Sequence, residues 1–303
     1  MSKIYDVIVL GAGPAGLAAG LYAGRSRLSV LIVEKGQDGG QISITDEIEN
    51  YPGQVVDQPE SGPSLIARMT EQAKKFGAER VSDTIKEVSL EGEVKVLKGE
   101  KGEYQAKNII IATGAHARPI GCKGEAEFLG RGVSYCAVCD GPFFKEKTAA
   151  VVGGGSAALQ DALYLAGICS KVYLIHRRDT FRAEKSLIDQ VMVAENIECV
   201  MESRVTALIG EKKLTELEVT NLSGEKKTLV ADGLFVAIGM EPHNEVFRDL
   251  VDLDEAGYVI AGENCKTRTP GVYAAGDCRT KTVRQLTTAA ADGTVCGLVC
   301  KAV

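Results

Sequence analysis

The sequence has little of what several common protein classes require. It contains no tryptophan and only three histidines among 303 residues. It has no uninterrupted apolar run near the roughly 18 residues that a membrane-spanning helix needs, so we expect no membrane partner. The formal net charge of -6 disfavours nucleic acid as a partner. The short apolar run at the N-terminus leads directly into a glycine motif, and we therefore expect no signal peptide.

Cysteine usage is atypical of a secreted, disulfide-framed protein. The nine cysteines are odd in number and scattered along the chain, whereas secreted frameworks are denser and usually even in number. We therefore expect a reducing compartment, the cytoplasm, and expect most of these cysteines to pack as small apolar residues. Only Cys136 and Cys139 form a close pair, in the stretch SYCAVCDG.

The length of the chain indicates two domains. A first glycine motif lies in YDVIVLGAGPAGLAAGLYA, residues 5–23. An apolar run predicts a buried parallel strand, and an alanine-rich helix follows. Gly11, Gly13 and Gly16 have the G-x-G-x-x-G spacing that allows a tight turn, close approach of a diphosphate and close helix packing. A second predicted strand ends at Glu34, near the spacing of a carboxylate that binds a ribose hydroxyl. The alternative is a glycine turn in another kind of α/β unit.

The motif recurs in TAAVVGGGSAALQDALYLAG, residues 148–167, with Gly153, Gly155 and Ala158 at G-x-G-x-x-A spacing. The position equivalent to Glu34 carries no acid here. The basic residues at and after that position are His176, Arg177, Arg178 and Arg182. Because a carboxylate repels a 2′-phosphate and arginines bind it, we expect this second site to prefer NADPH over NADH. The alternative is a solvated basic face at a strand end.

Two dinucleotide-binding units in one chain predict an α/β fold with two Rossmann-like domains and two different nucleotides. Each half ends similarly, in NIIIATGA (108–115) and GLFVAIGM (233–240). The chain then returns to strand and helix patterns in TRTPGVYAAGDC and an alanine-rich run to Val299. We therefore predict that the second domain is inserted into the first, with domain segments 1–116, 117–243 and 244–303. The two crossings contain glycine and proline and are a natural pair of hinges.

At this point the motifs resemble the low-molecular-weight, bacterial type of thioredoxin reductase over essentially the whole chain. The matching segments are GAGPAG, GGQ, ENYPG, ATGA, CAVCDG, VVGGG, HRRDTFRAEK, LFVAIG and VYAAGD. Most are shared with other flavoprotein disulfide reductases, but C-x-x-C-D placed just before the second glycine motif is specific to this type. The resemblance implies a flavoprotein enzyme with FAD and NADPH as cofactors and a homodimeric assembly.

The resemblance also implies which residues bind each cofactor. For FAD in the first unit they are Gly11, Gly13, Pro14, Ala15, Gly16, Glu34, Gly40, Gln41, Asn50, Thr113, Gly114, Gly276, Asp277, Arg284 and Gln285. For NADPH in the second unit they are Gly153, Gly155, Ser156, Ala157, His176, Arg177, Arg178, Arg182, Ile238 and Gly239. The chain departs from the family pattern at Gln160 and Asp161, where a Glu-Glu pair is more usual, and at Leu286, where alanine is common.

The Cys136–Cys139 pair has three interpretations: half of a zinc site, a structural disulfide, or a dithiol that exchanges electrons. Zinc needs four ligands, and the chain has one C-x-x-C and no histidines at ligand spacing. A static structural disulfide is disfavoured by the expected compartment. Redox exchange remains, because a C-x-x-C pair lowers the thiol pKa and the thiolate is the attacking species. Asp140 then fits an acid–base role, with a helix or turn cap as the alternative.

The resemblance implies a cycle in which NADPH reduces FAD, FAD reduces the Cys136–Cys139 disulfide, and the dithiol reduces thioredoxin, with rotation of the inserted domain between steps. Alternatives are a glutaredoxin-like or peroxiredoxin-linked carrier, or ferredoxin as the electron donor. A flavoprotein that has lost its chemistry is a further, non-enzymatic alternative. The arginine cluster argues against ferredoxin, and the intact C-x-x-C-D argues against lost chemistry.

Overall fold

The structure is a computed structural model that describes residues 3–45, 47–54, 58 and 60–300. The chain divides into two compact units, residues 1–116 with 241–303, and residues 117–240. The second boundary lies three residues before the one predicted at 243. Local contacts explain the difference, because Pro242 lies beside Gly257 and the His243 ring packs on the His116 ring, with 4.7 Å between centroids.

The first unit is built on a seven-stranded sheet. Its path is β3-β2-β1-β6-β5-β4, and β17 pairs with β6. The strands are β1 (Ile4–Leu10), β2 (Val30–Glu34), β3 (Ala78–Ser82), β4 (Ile85–Ser89), β5 (Lys95–Gly99), β6 (Glu103–Ile111) and β17 (Val272–Ala274). The central pairs are parallel, whereas β4, β5 and β6 pair antiparallel. The return of the chain as β17 beside β6 completes the unit from its second segment.

Alternate residues of β1 face opposite sides of this sheet, as strand geometry requires. Val7 and Val9 belong to one buried cluster and Ile8 and Leu10 to another, so both faces are covered. The helices of the unit are α1 (Pro14–Arg25), α2 (Gly62–Lys75) and α6 (Leu286–Val299). Helix α6 ends at Val299, where the sequence predicted its end.

Helix α6 packs directly on α1 through glycines. A Cβ at Gly293 would lie 2.1 Å from the Ala15 carbonyl oxygen, and one at Gly297 would lie 2.7 Å from that of Ala19. Only residues without side chains allow the two helix backbones to approach so closely. This contact brings the middle of α6 against Ala15 of the first glycine motif.

The second unit has a parallel five-stranded sheet and a separate antiparallel three-stranded sheet. The five strands follow the order β11-β10-β9-β15-β8, and the three follow β12-β13-β14. The strands are β8 (Val133–Ser134), β9 (Thr148–Val152), β10 (Lys171–Ile175), β11 (Ile197–Val200), β12 (Ser203–Gly210), β13 (Leu214–Asn221), β14 (Lys226–Val230) and β15 (Gly233–Val236). The helices are α3 (Ala137–Asp140), α4 (Ser156–Ala166) and α5 (Lys185–Val193). Each face of the parallel sheet carries its own buried cluster.

The two crossings of the chain are short strands, β7 (Ala115–Ala117) and β16 (Met240–Pro242), which pair with each other. Among the helices of the described residues, none is long and apolar enough to cross a membrane.

Candidate active site

The first glycine loop lies between β1 and α1, and its three glycines have different surroundings. Gly11 has a φ of +109°, and a Cβ there would lie 2.3 Å from the Ala112 carbonyl oxygen. A Cβ at Gly16 would lie 1.9 Å from the Gly11 carbonyl oxygen. The nearest atom to a Cβ at Gly13 is 3.9 Å away. The first and third glycines are therefore required by packing, and the second leaves open space at the start of α1, where Pro14 is the first helical residue.

Glu34 holds this loop from the end of β2. Its carboxylate accepts hydrogen bonds from the Ala12 amide at 2.8 Å and from the Gly36 amide at 2.9 Å. A carboxylate oxygen has two lone pairs, so each oxygen can accept one further bond. Glu34 therefore lies beside the loop with remaining capacity for a hydroxyl donor, as a ribose-binding residue requires.

Polar side chains from distant segments line the same unit. Gln41 donates to the Ala115 carbonyl oxygen, Asn50 donates to Gln285 Oε1 at 3.3 Å, and Thr113 donates to Asn244 Oδ1 at 2.9 Å. Gly40 and Gly114, next to two of these residues, have φ values of +58° and +69°. These contacts tie the GGQ, ENYPG and ATGA segments to other parts of the first unit.

Asp277 has the clearest unmet hydrogen-bonding capacity in the first unit. Its Oδ1 atom is buried and has no hydrogen-bond partner within the described part of the chain. Burial raises the pKa of Asp277, and the nearby charges of Lys281 and Arg284 oppose that rise. Buried polar atoms in native proteins are nearly always paired, so this atom indicates a ligand. Gly276 brings the turn against the first glycine loop, since a Cβ there would lie 2.8 Å from Ala15 Cβ.

Arg284 and Gln285 precede helix α6. The Arg284 guanidinium lies over the Tyr258 ring, 4.2 Å from its centroid, and Gln285 forms a capping box with Thr288. Together with the open space at Gly13 and the unpaired Asp277 oxygen, these residues fit an extended dinucleotide such as FAD.

The second glycine loop, between β9 and α4, repeats the first arrangement. A Cβ at Gly153 would lie 2.4 Å from the Ala237 carbonyl oxygen, whereas the nearest atom to one at Gly155 is 3.9 Å away. Ser156 and Ala157 then begin α4, with Ala157 exposed. The space beside Gly155 therefore fits a second diphosphate. Ile238 and Gly239 follow β15, and Ile238 is exposed.

His176 supports this loop from below. A Cβ at Gly154 would lie 2.1 Å from the His176 ring, and His176 Nε2 is 3.1 Å from the Thr180 carbonyl oxygen. Burial lowers the pKa of His176, and the charges of Arg177 and Arg178 add to that effect. The neutral ring therefore donates to the carbonyl. It packs beneath the loop, whereas its position in the sequence had predicted a role beside the phosphate-binding arginines.

The three arginines after β10 are available for a ligand. Arg177 and Arg182 are exposed and Arg178 is half-buried. The Arg182 amide donates to the Gly154 carbonyl oxygen at 2.6 Å, which fixes this segment beside the glycine loop. Within the described residues, none of the three guanidinium groups forms a salt bridge. Unpaired guanidinium groups beside a glycine loop fit a 2′-phosphate.

Cys136 and Cys139 form a disulfide, with 5.3 Å between their Cα atoms. The short helix α3 positions them, with Cys136 as its N-terminal cap. The Cys139 amide donates to Cys136 Sγ at 3.2 Å, and the Cys136 amide donates to the buried Ser134 hydroxyl at 3.0 Å. A hydrogen bond to sulfur favours the thiolate over the thiol. The local backbone is therefore arranged to stabilise a thiolate at Cys136 once the disulfide is reduced.

Asp140 ends helix α3 directly after the disulfide. Burial raises its pKa, and a hydrogen bond with Ser134 opposes the rise. A short 3-10 helix follows at Gly141–Phe144, and the Asp140 side chain makes no capping hydrogen bond to it. A carboxyl group with a raised pKa can hold a proton where an ordinary aspartate cannot, which is the property an acid–base group needs.

The remaining cysteines are free. Cys169, Cys265, Cys278, Cys296 and Cys300 are buried, and Cys122 and Cys199 are half-buried. Cys278 lies next to Asp277 and donates to the Ile111 and Ala275 carbonyl oxygens, while burial raises its pKa to about 11. Cys278 is thus a buried, packed thiol, in line with the expectation that most of these cysteines pack as small apolar residues.

Sequence reasoning missed several residues that shape these sites. Asn244 links Thr113 to the Gly257 and Cys278 carbonyl oxygens, and Gly154 makes room for His176. Asp292 is a buried charge in helix α6, where it pairs with Arg279 and Lys281. The sequence signal for Asp292 was that it is an isolated acidic residue within the alanine-rich run.

Comparisons with known proteins agree with this arrangement. The family model described as pyridine nucleotide-disulphide oxidoreductase matches residues 5–293. A thioredoxin reductase of Peptoclostridium acidaminophilum is 46% identical over 302 residues, covering 97% of this chain and 95% of that protein. One from Listeria innocua is 44% identical over 297 residues, covering 97% and 92%. The crystal structure of thioredoxin reductase from Streptococcus pyogenes aligns with a TM-score of 0.94 at 40% identity, covering 99% and 98%.

Two dinucleotide-type glycine loops and a C-x-x-C disulfide define an oxidoreductase of the class that uses flavin and nicotinamide cofactors. The chain belongs to the pyridine nucleotide-disulphide oxidoreductase family, in the group of thioredoxin reductases, as the motifs predicted.

Proposed function

We propose that this enzyme is an NADPH-dependent thioredoxin reductase that holds FAD in its first unit and NADPH in its second. The observation that carries the proposal is the Cys136–Cys139 disulfide followed directly by the buried Asp140 carboxyl. The relatives named thioredoxin reductase, which match almost the whole chain, support it.

The first unit would bind FAD through groups that its fold leaves unpaired or open. The diphosphate would lie over Gly13 at the N-terminus of α1, where the helix dipole favours an anion. Glu34 would accept a ribose hydroxyl, and the unpaired Asp277 oxygen would accept a hydroxyl of the ribityl chain. Bound FAD would supply hydride acceptance from NADPH and two-electron reduction of a disulfide.

The second unit would bind NADPH through the loop at Gly155 and the arginines that follow β10. Arg177, Arg178 and Arg182 would bind the 2′-phosphate, which NADH lacks. Salt should weaken this contact, because two of the three side chains are exposed.

The reduced Cys136–Cys139 pair would then reduce thioredoxin by thiol–disulfide exchange. One thiolate attacks a sulfur of the thioredoxin disulfide, displaces the other sulfur as a thiolate and forms a mixed disulfide. The second thiolate of the pair then attacks the sulfur of its neighbour, which re-forms the Cys136–Cys139 disulfide. Two electrons pass to thioredoxin, and its two new thiols take up two protons. Asp140 would move one of these protons at the leaving sulfur.

The proposal includes an assembly and a location. Assembly as a homodimer rests on the family resemblance alone. A cytoplasmic location rests on cysteine usage, since seven of the nine cysteines in the described residues are free.

Anaerobic titration of the purified protein, followed by visible absorption, tests the proposal. NADPH should bleach a bound flavin band, and NADH should do so much more weakly. Oxidised thioredoxin should then restore the band in the wild-type protein, but not in Cys136→Ser or Cys139→Ser. Cys122→Ser, which removes a free thiol of the same unit, is the matched control and should behave as wild type.

A flavin that NADPH does not bleach would contradict the assignment of the second unit, and reduction by ferredoxin would be tested next. A Cys136→Ser variant with full turnover would instead revive a function without dithiol chemistry. Restoration of the flavin band by a glutaredoxin and not by thioredoxin would identify a different carrier.

A further inference from the structure

A buried cluster of three charges lies behind the Gly276–Asp277 turn. It consists of Arg279, Lys281 and Asp292, whose side chains are 9%, 7% and 9% exposed. Arg279 and Lys281 follow the turn, whereas Asp292 lies in helix α6. Charged groups in a protein interior are costly unless they are paired and hydrogen-bonded, so this cluster calls for an explanation.

The Asp292 carboxylate is the centre of the cluster. Arg279 donates to both of its oxygens, at 2.7 and 2.8 Å, and Lys281 Nζ donates to Oδ2 at 2.8 Å. The fourth donor is the Gly276 amide, at 2.9 Å from Oδ2. Burial alone would raise the pKa of Asp292, but these hydrogen bonds outweigh it and lower the pKa. The carboxylate is therefore ionised, and the cluster has two cations and one anion.

The contact with the Gly276 amide links the cluster to the site. Gly276 has a φ of +78°, and its neighbour Asp277 has the unpaired buried oxygen that indicates a ligand. The charged side chain of Lys281 also acts on Asp277. Asp292 thus fixes the backbone of the turn from one side, while Asp277 is left open to a ligand.

We propose that Asp292 is a positioning residue for the flavin cofactor: it fixes the Gly276–Asp277 turn, and the surplus positive charge of its cluster raises the reduction potential of the bound flavin. This inference rests on the proposed function, in which Asp277 contacts FAD. A buried positive charge stabilises the electron-rich, reduced form of a nearby cofactor, and low surrounding polarity strengthens the effect.

Charge-changing substitutions separate this role from a purely structural one. Asp292→Asn keeps the shape and an acceptor for Gly276 but adds one positive charge, so the flavin potential should rise. Lys281→Met removes one positive charge and leaves the Arg279–Asp292 pair intact, so the potential should fall. The double variant restores the net charge of the cluster, and its potential should return towards that of the wild type.

Asp292→Ala tests the positioning role, because it removes the hydrogen bond to Gly276. The dissociation constant for FAD should rise by about tenfold or more, as expected for loss of a charge-assisted hydrogen bond. The matched control is Asp252→Asn, which removes the same charge from an exposed pair with Arg268 in the same unit. Because solvent screens that position, the flavin reduction potential and the FAD affinity of Asp252→Asn should equal those of the wild type.

The measurements are equilibrium redox titration of the flavin with a reference dye and FAD binding to the full-length apoprotein from which flavin has been removed. Opposite shifts in the two single variants with recovery in the double variant would support the inference, and unchanged potentials in all three would overturn it. If Asp292→Asn does not fold, Lys281→Met alone still decides by the direction of its shift. A wild-type protein that binds no FAD would instead contradict the proposed function.

Discussion

At Asp140, burial acts on a carboxyl group that directly follows the disulfide. Burial raises its pKa, so the folded protein holds this proton more tightly than the unfolded chain does. The resulting stabilisation is fully present below the ordinary pKa of an aspartate and is lost as pH rises through the raised pKa. Above the ordinary pKa of an aspartate, the burial of Asp140 therefore costs stability, which a functional role would explain.

Asp140→Asn should slow disulfide exchange with thioredoxin while increasing stability at neutral pH. The rate of dithiol reoxidation should fall by about a hundredfold or more, the usual contribution of a positioned acid–base group. The unfolding midpoint should exceed that of the wild type at neutral pH, and the difference should shrink as pH falls below the ordinary pKa. Rapid-mixing kinetics and urea unfolding across pH measure the two effects.

Asp189→Asn, at an exposed position of the same unit, is the control and should change neither quantity. An Asp140→Asn variant with wild-type exchange kinetics would favour a role limited to local structure.

The sequence predicted single residues well where a motif fixes local geometry, and poorly where a distant segment does. The position of Glu34 beside the first loop was predicted from its spacing to the glycines. The pairing of Cys136 with Cys139 was predicted from the C-x-x-C spacing together with the family resemblance. The inward direction of the His176 ring was not predicted, because it depends on the room left by Gly154. Asp292 acquires its role only when α6 meets the Gly276 turn, a contact between segments that no local pattern encodes.

At the scale of elements, the packing of α6 on α1 joins two distant parts of the first unit. The helices approach so closely that Gly293 lies against the Ala15 backbone. Their alanine-rich sequences predicted both helices, but no sequence pattern indicates that the two helices pack against each other. The site depends on that contact, since α1 carries the first glycine loop and α6 carries Asp292.

Gly293→Ala should destabilise the first unit and weaken FAD binding. Alanine favours a helix over glycine by about 1 kcal/mol, but its Cβ would lie 2.1 Å from the Ala15 carbonyl oxygen. The overlap is with backbone and cannot be relieved by rotating a side chain, so we expect a net loss of about 1–3 kcal/mol. Urea unfolding and FAD titration measure both effects.

Gly262→Ala is the matched control, because no atom lies within 4 Å of a Cβ at that position. It should leave stability and FAD binding unchanged. A Gly293→Ala protein as stable as wild type would show that the two helices can move apart without loss of stability.

In the proposed function, the arginines after β10 set the nucleotide preference of the second unit. Replacing Arg178 by alanine should raise the KM for NADPH by about tenfold, the effect of losing a charge-assisted hydrogen bond. The KM for NADH should not change, because NADH has no 2′-phosphate. Steady-state kinetics with both nucleotides measure the ratio, and exposed Arg204 on β12 provides the control substitution to alanine. Equal losses for both nucleotides would contradict a 2′-phosphate contact.

At the scale of the whole molecule, the two units depend on chain order in different ways. The second unit is a single continuous segment, residues 117–240, with two buried clusters of its own. The first unit needs both of its segments, since β17 and α6 complete a sheet and a core that residues 1–116 begin. The sequence predicted this insertion from the second glycine motif and the return to strand and helix patterns. It did not predict the antiparallel sheet of β12, β13 and β14, whose strands carry no motif.

Residues 117–240, produced alone, should therefore fold and retain nucleotide binding, whereas residues 1–116 alone should not fold. The excised unit keeps every strand of its two sheets, but residues 1–116 would expose the face of α1 that Gly293 and Gly297 cover. Thermal unfolding followed by near- and far-ultraviolet circular dichroism should give one cooperative transition for the excised unit. NADPH should raise its midpoint more than NADH, because a ligand stabilises the folded state that binds it. A non-cooperative transition, or equal shifts with both nucleotides, would mean that the second unit needs the first to form its arginine site.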